Sequence, residues 1–173
     1  NGQRVYCIQN KNILWHKDVE GEIKDLTVNK NGYVSIVVAG VSCKNIVQIY
    51  DNTGKELFTR GLSTASVIDT AISDNNKYLA IAEADFSGVL VQSTIEIISI
   101  ENASKNSDDA VVYTYQPDSD NLVINIQYQK DNLVCMYDKF VEIIKNKNKF
   151  GFWEEVLWSF GTQKSGLTMY VFQ

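Results

Sequence analysis

The feature that most constrains this chain is a repeat. "IKDLTV" (23–28) and "YVSIVVA" (33–39) return as "VIDTAI" (67–72) and "YLAIAEA" (78–84). Tyr33 and Tyr78 stand 45 residues apart. A third copy, "VINIQYQKDNLVCMYD" (123–138), aligns with Leu133 in the tyrosine position, 55 residues after Tyr78. Each copy is followed by an alternating run ("IVQIYD", "TIEIIS", "FVEIIK") and then by a run bearing an aromatic residue ("ELFTR", "VVYTYQ", "EVLWSF"). "NILWHKD" at 12–18 fills that last slot once more. Trp15, Phe58, Tyr113 and Trp158 then correspond, at spacings of 43, 55 and 45. Asn, Asp and Gly punctuate the runs, as in "DNTG" (51–54). These residues tolerate the positive φ of tight turns.

Four short strands, a-b-c-d, in each period of 45–55 residues are the signature of a β-propeller blade, a four-stranded antiparallel sheet stacked radially on its neighbours. A blade has two faces to cover, which explains why most strand residues are apolar rather than strictly alternating. Large side chains such as Tyr33 and Trp15 suit the wedge between blades. The expected fold is all-β and propeller-like, a single segment of about three and a half blades. Its parts are residues 1–20, 21–62, 63–118 and 119–162, with 163–173 starting the next blade. A β-sandwich with chance strand spacing is the alternative. An open arc leaves an apolar blade face uncovered at each end. The chain is therefore expected to be a piece of a larger propeller, or to self-associate through its open blade faces, or to be capped in another way.

The formal net charge is −5 and no basic cluster stands out, so no nucleic-acid surface is expected. "NKNKF" (146–150) reads as a solvated turn. No apolar run reaches about 18 residues, so no membrane insertion is expected within this segment. Cys7, Cys43 and Cys135 are odd in number and lack CxxC spacing, which points to free thiols. Cys7 and Cys135 read as core residues and Cys43 as a turn residue. His16 is the sole histidine, which argues against zinc, and no nucleophile motif accompanies it; it reads as a surface residue. Glu154 and Glu155 are adjacent, so on a strand they point to opposite faces, a poor geometry for paired-carboxylate chemistry. A short helical turn is the alternative for that stretch.

Two groups of residues stand out as candidate sites. Strand a repeats a polar position at Asp25, Asp69 and Asn125, with Thr168 in the fourth slot. In a propeller strand a is innermost, so these residues would line the channel rim. One reading is a ring of oxygens for a cation or polar ligand; the other is structural hydrogen bonding to a neighbouring turn. The second group is "ADFSGVLVQ" (84–92), the longest insertion between strands b and c. Phe86, Gly88 and Leu90 form either an exposed partner-binding loop or the ends of longer strands.

"ISDNNKYLAIAEAD" resembles the strand-turn-strand step of WD-repeat-like and TolB-like propellers. "ILWHKDVEGEI" resembles the tryptophan step of PQQ-like propellers. The whole is similar to an uncharacterised family of bacterial PQQ-like or WD-like propellers, usually tethered to the cell envelope by an N-terminal membrane helix. The Gly-His and Trp-Asp dipeptides of true WD repeats are missing, and Phe58 and Tyr113 replace tryptophan in the docking motif. No quinone ligands carry over, and no cofactor, metal or catalytic residue is expected. The resemblance implies an extracytoplasmic location. The leading functional expectation is a non-enzymatic binding or scaffold domain. The alternative is a propeller enzyme binding a cofactor or ligand, such as a quinone-type dehydrogenase or a hydrolase.

Overall fold

A computed structural model describes residues 3–106, 108–118, 121–146 and 153–158. Its strands group into one hairpin and three four-stranded antiparallel sheets. The hairpin holds β1 (Gln3–Gln9) and β2 (Asn12–Val19). The first sheet runs in order through β3 (Ile23–Val28), β4 (Val34–Ala39), β5 (Asn45–Tyr50) and β6 (Glu56–Leu62). The second holds β7 (Ser66–Ile72), β8 (Tyr78–Asp85), β9 (Gln92–Ser99) and β10 (Val111–Tyr115). The third holds β11 (Val123–Gln129), β12 (Asn132–Tyr137), β13 (Val141–Asn146) and β14 (Trp153–Trp158). Each sheet is thus one a-b-c-d unit, and the hairpin supplies strands c and d of a blade before them. This is an all-β, propeller-like arc.

The turns form where the sequence supplies their chemistry. Asn29 Oδ1 accepts the backbone N–H groups of Asn31 and Tyr33, each at 3.0 Å, and Gly32 takes φ +79° to close the a–b turn of the first sheet. In the second sheet Ser73 Oγ accepts from Tyr78 N at 2.9 Å, and Asn76 takes the left-handed position. Between strands c and d, Asp51 Oδ1 collects the N–H groups of Thr53 and Lys55. The second sheet carries an unforeseen c–d insertion: the short helix α1 (Ile100–Ser104), capped by the Ser99 side chain, and a 3-10 turn at Asp108–Ala110. It lengthens that repeat, and Ile100 and Ala103 on α1 join the core.

Three apolar seams hold the arc together, one at each stacking interface. Val5, Trp15 and Val19 of the hairpin meet Val34, Ile36, Val38 and Tyr50. Val37, Val47 and Ile49 meet Leu79, Ile81 and Ile98 across the next seam. Ala80, Ala82, Ile95 and Ile97 meet Val123, Ile126, Leu133 and Cys135 across the third. Opposite faces of one strand feed different seams, which follows from the period-2 alternation of strand side chains.

Two sequence alignments shift once the register is seen. In the third sheet Cys135 pairs with Ile126 and with Glu142, as Ile81 pairs with Thr70 and Glu96. Asn132, not Leu133, therefore occupies the slot of Tyr33 and Tyr78. The cause is the two-residue turn at Lys130–Asp131, where Gln129 pairs with Asn132. A one-residue slip moves every side chain to the other face. In the last strand Val156 pairs with Ile143, as Phe58 pairs with Ile49 and Tyr113 with Ile97. The aromatic slot expected for Trp158 thus falls on Val156. The stretch containing Glu154 and Glu155 is strand β14, not a helical turn.

Candidate functional site

The polar residues of strand a do come together. The a strands of successive sheets lie side by side, and each polar residue follows a bulge, at Ile23/Asp25, Val67/Asp69 and Val123/Asn125. The extra residue of a bulge re-aims the side chain after it. Asp69 Oδ2 accepts the Asn125 amide at 2.6 Å and the Ile126 backbone N–H at 2.8 Å, while Oδ1 accepts its neighbour Thr70 N–H at 2.8 Å. Burial raises the Asp69 pKa and the nearby Asp25 charge adds to this; the three hydrogen bonds oppose it. Asp25 differs: its Oδ2 is buried without a hydrogen-bond partner among the described residues. Thr168 lies outside the described residues. Among these residues no group of three or more His, Cys, Asp or Glu could hold a metal ion. What the arrangement does chemically is join blades: one carboxylate of the second blade holds a side chain and a backbone amide of the third.

Two further polar repeats escape sequence reading. Gln3, Asn45 and Ser93 occupy the same place at the start of strand c. Each accepts the backbone N–H that opens strand a of the following sheet: Ile23 at 2.7 Å, Val67 at 2.7 Å and Val123 at 3.0 Å. Ser93 Oγ also donates to the Asn121 carbonyl at 2.8 Å. This clasp recurs at all three interfaces through three different residue types, so no identity marks it.

The second repeat links strand d of one blade to strand c of the next. Arg60 Nη2 pairs with Glu96 Oε2 at 2.6 Å. In the next seam the Tyr115 hydroxyl donates to Glu142 Oε1 at 2.9 Å. Lys17 holds the equivalent position in the hairpin, with its Nζ 5.6 Å from the Tyr50 ring centroid. Glu83 shares the seam with Arg60 and Glu96, is buried, and has an unpartnered Oε1. Burial above all, then the Glu96 charge, pushes its pKa up to about 7, and Arg60 opposes the shift. Burial, and then the Glu142 charge, pushes the Cys135 thiol up. The "TIEIIS" and "FVEIIK" alignment contained this signal, a Glu at one strand-c position in two blades.

The rim at the b–c end is chemically different. β8 ends at Asp85 and β9 starts at Gln92, so Phe86, Gly88 and Leu90 lie in an exposed loop rather than in longer strands. Val89 beside them is fully exposed, as is Val41 in the equivalent loop of the preceding sheet. The two loops stand at the same end of successive sheets; in the second, the Ser87 backbone N–H holds the Asp85 carboxylate at 2.9 Å. Elsewhere His16 is exposed and lies beside Tyr6, the two rings tilted by 36° with centroids 6.0 Å apart. All three cysteines are free thiols, and Cys43 is half-buried with its Sγ 3.3 Å from the Asn45 carbonyl. Among the described residues no helix is long and apolar enough to cross a membrane.

Comparison with known proteins agrees with this architecture. A family of unknown function, DUF5711, matches residues 1–163. No curated protein matches the sequence. Two solved β-propeller structures match in fold. One is KlHsv2 with its loop 6CD replaced by a Gly-Ser linker, at TM-score 0.57 and 17% identity over 81% of this chain and 45% of that one. The other is the dihydro-heme d1 dehydrogenase NirN in complex with DHE, at TM-score 0.58 and 9% identity over 84% of this chain and 30% of that one. The chain thus spans less than half the length of either structure, and at these identities the likeness shows the fold alone.

Proposed function

The chain belongs to that family of unknown function, and from its geometry we propose that it is a non-enzymatic binding or scaffold module acting through its b–c rim. The observation that carries this reading is the pair of b–c loops, on successive sheets, with exposed Val41, Phe86, Val89 and Leu90. Exposed apolar side chains grouped on loops at one end of a framework are a feature of protein-binding surfaces. The framework behind them is cross-tied: buried Asn45 and Ser93 and half-buried Asp69 and Arg60 are engaged between blades. The module would act on the extracytoplasmic side of a bacterial cell envelope, a location supported by the sequence resemblance alone.

The test is site-specific photo-crosslinking in the native host. A photoreactive residue at Val89 or Leu90 should give one adduct of defined mass, and the same residue at exposed Thr59 should not. Equal labelling at Thr59, or no adduct at either loop position, would overturn the reading.

A further inference from the structure

The second blade carries an insertion that a blade does not need. The hairpin passes from strand c to strand d through Asn10 and Lys11 alone, and the first sheet does so between Tyr50 and Glu56. The second sheet places α1 and the 3-10 turn between β9 and β10 instead. The insertion is bonded to itself. Asn102 Nδ2 donates to the Asp109 carbonyl at 3.2 Å, and Asn106, at φ +52°, donates its backbone N–H to the Ala103 carbonyl at 3.0 Å. It leans back on the preceding blade, where α1 packs against β6.

A cavity of about 280 Å³ lies between the insertion and β6. It stands at the c–d end of the sheets, opposite the b–c rim, and does not depend on the reading of that rim. Phe58, Ile98, Ala103 and Ala110 make its apolar walls, and Arg60 brings the one charge among the described residues that line it. Arg60 commits Nη2 to Glu96 at 2.6 Å. A guanidinium has five N–H donors, and those on Nε and Nη1 meet no protein partner among the described residues. The tie between blades does not require them. In the next seam Tyr115 makes the equivalent tie to Glu142 with a single hydroxyl.

We propose that this cavity is a binding site for a small aromatic carboxylate. The spare N–H groups of Arg60 take the carboxylate, and the walls of Phe58, Ile98, Ala103 and Ala110 take the ring. Charge decides the head group. No described acid lines the cavity, so a cation gains no partner there. Arg60 is already partly neutralised by Glu96, which suits one negative charge rather than the two of a phosphate. Shape decides the body. The two alanines leave a space that larger side chains would fill, and Phe58 supplies an aromatic neighbour. The volume stands at the small end of ligand pockets, which fits a ring with a short acid arm.

The test titrates the isotope-labelled 173-residue chain with phenylacetate and with phenylacetamide, which keeps the ring and loses the charge. Amide chemical shifts are followed at about pH 6, where Glu83 beside Arg60 holds its proton. Phenylacetate should give saturable shifts confined to Phe58–Arg60 and Ala103–Ala110, with an affinity on the order of tenfold above that of the amide. Inorganic phosphate should move those signals no more than chloride does. Arg60→Gln should remove the preference for acid over amide. Ala110→Leu leaves the Arg60–Glu96 pair in place and should weaken both ligands by filling the cavity. The proposal is overturned if acid and amide bind the unaltered chain alike, or if phosphate binds as tightly as phenylacetate. Shifts outside the cavity, no saturable shift, or unchanged binding in Ala110→Leu would overturn it equally.

Discussion

Glu83 sits on β8 with its carboxyl turned into the seam between the first and second sheets, facing Glu96 from β9 and Arg60 from β6. Two acids share one guanidinium there, and Arg60 is committed to Glu96 at 2.6 Å. The Glu83 pKa rises from 4.5 to about 7, first by burial and then by the Glu96 charge. Between those two values the folded protein holds a proton that the unfolded chain has released. The Glu83 contribution to stability is therefore intact below the unfolded pKa and is lost as the pH rises through the folded one, for a total on the order of 3 kcal/mol. Glu83→Gln removes the titrating group. Its stability relative to wild type should climb from pH 4.5 to 7 and level off above, measured by urea unfolding across that range. A difference that stays flat with pH would refute the assignment. This residue was not legible in "YLAIAEAD", where a Glu in an apolar run looks like an ordinary solvent-facing position; its burial depends on Arg60, in another blade.

Strands were the most readable element, because alternation and turn residues are local properties. Register was less readable. The third blade slipped by one residue because its a–b turn has two residues where the others are longer, and turn length, not hydrophobicity, decides the face. The exposed loop with Phe86, Gly88 and Leu90 was left open by the sequence for a similar reason: nothing local separates a long strand from a loop. Trp15 shows what an element contributes beyond its own strand. Its Nε1 donates to the Asn52 carbonyl at 3.1 Å, and its ring lies against the c–d turn of the next sheet. Gly54 in that turn has φ +81°, and a Cβ there would fall 2.8 Å from Trp15 Cγ. Gly54→Ala should then cost about 1 kcal/mol for the left-handed backbone and about 1–2 more for the clash. In a Trp15→Ala background the two ring contacts are gone and the backbone part should dominate, with only the 3.2 Å approach to the residue 15 Cβ kept. A double-mutant cycle by denaturant unfolding should show a coupling of about 1–2 kcal/mol; additive effects would mean that the turn does not support the ring.

At the scale of the whole molecule the arc is a row of sheets that touch only their neighbours, so its stability is expected to resolve into seams rather than act as one block. The repeat made the order of blades legible. It hid the fasteners: Gln3 and Asn45 accept through an amide oxygen and Ser93 through a hydroxyl, and only the fold aligns them with Ile23, Val67 and Val123. The polar positions at Asp25, Asp69 and Asn125 were legible because they recur, yet their unequal bonding is not, since it depends on which blade stands beside each. The seam between the second and third sheets gives the cleanest test. Ser93→Ala leaves the Val123 N–H and the Asn121 carbonyl without their partner, a loss of about 1–3 kcal/mol. If the seams act separately, amide-exchange protection over Leu133–Cys135 in β12 should fall on the order of tenfold to a hundredfold. Protection over Val34–Val38 in β4, which the whole second sheet separates from that seam, should stay as it was. An equal fall in both strands would show that the arc opens as a single cooperative unit, because a local fastener would then control sheets it never touches.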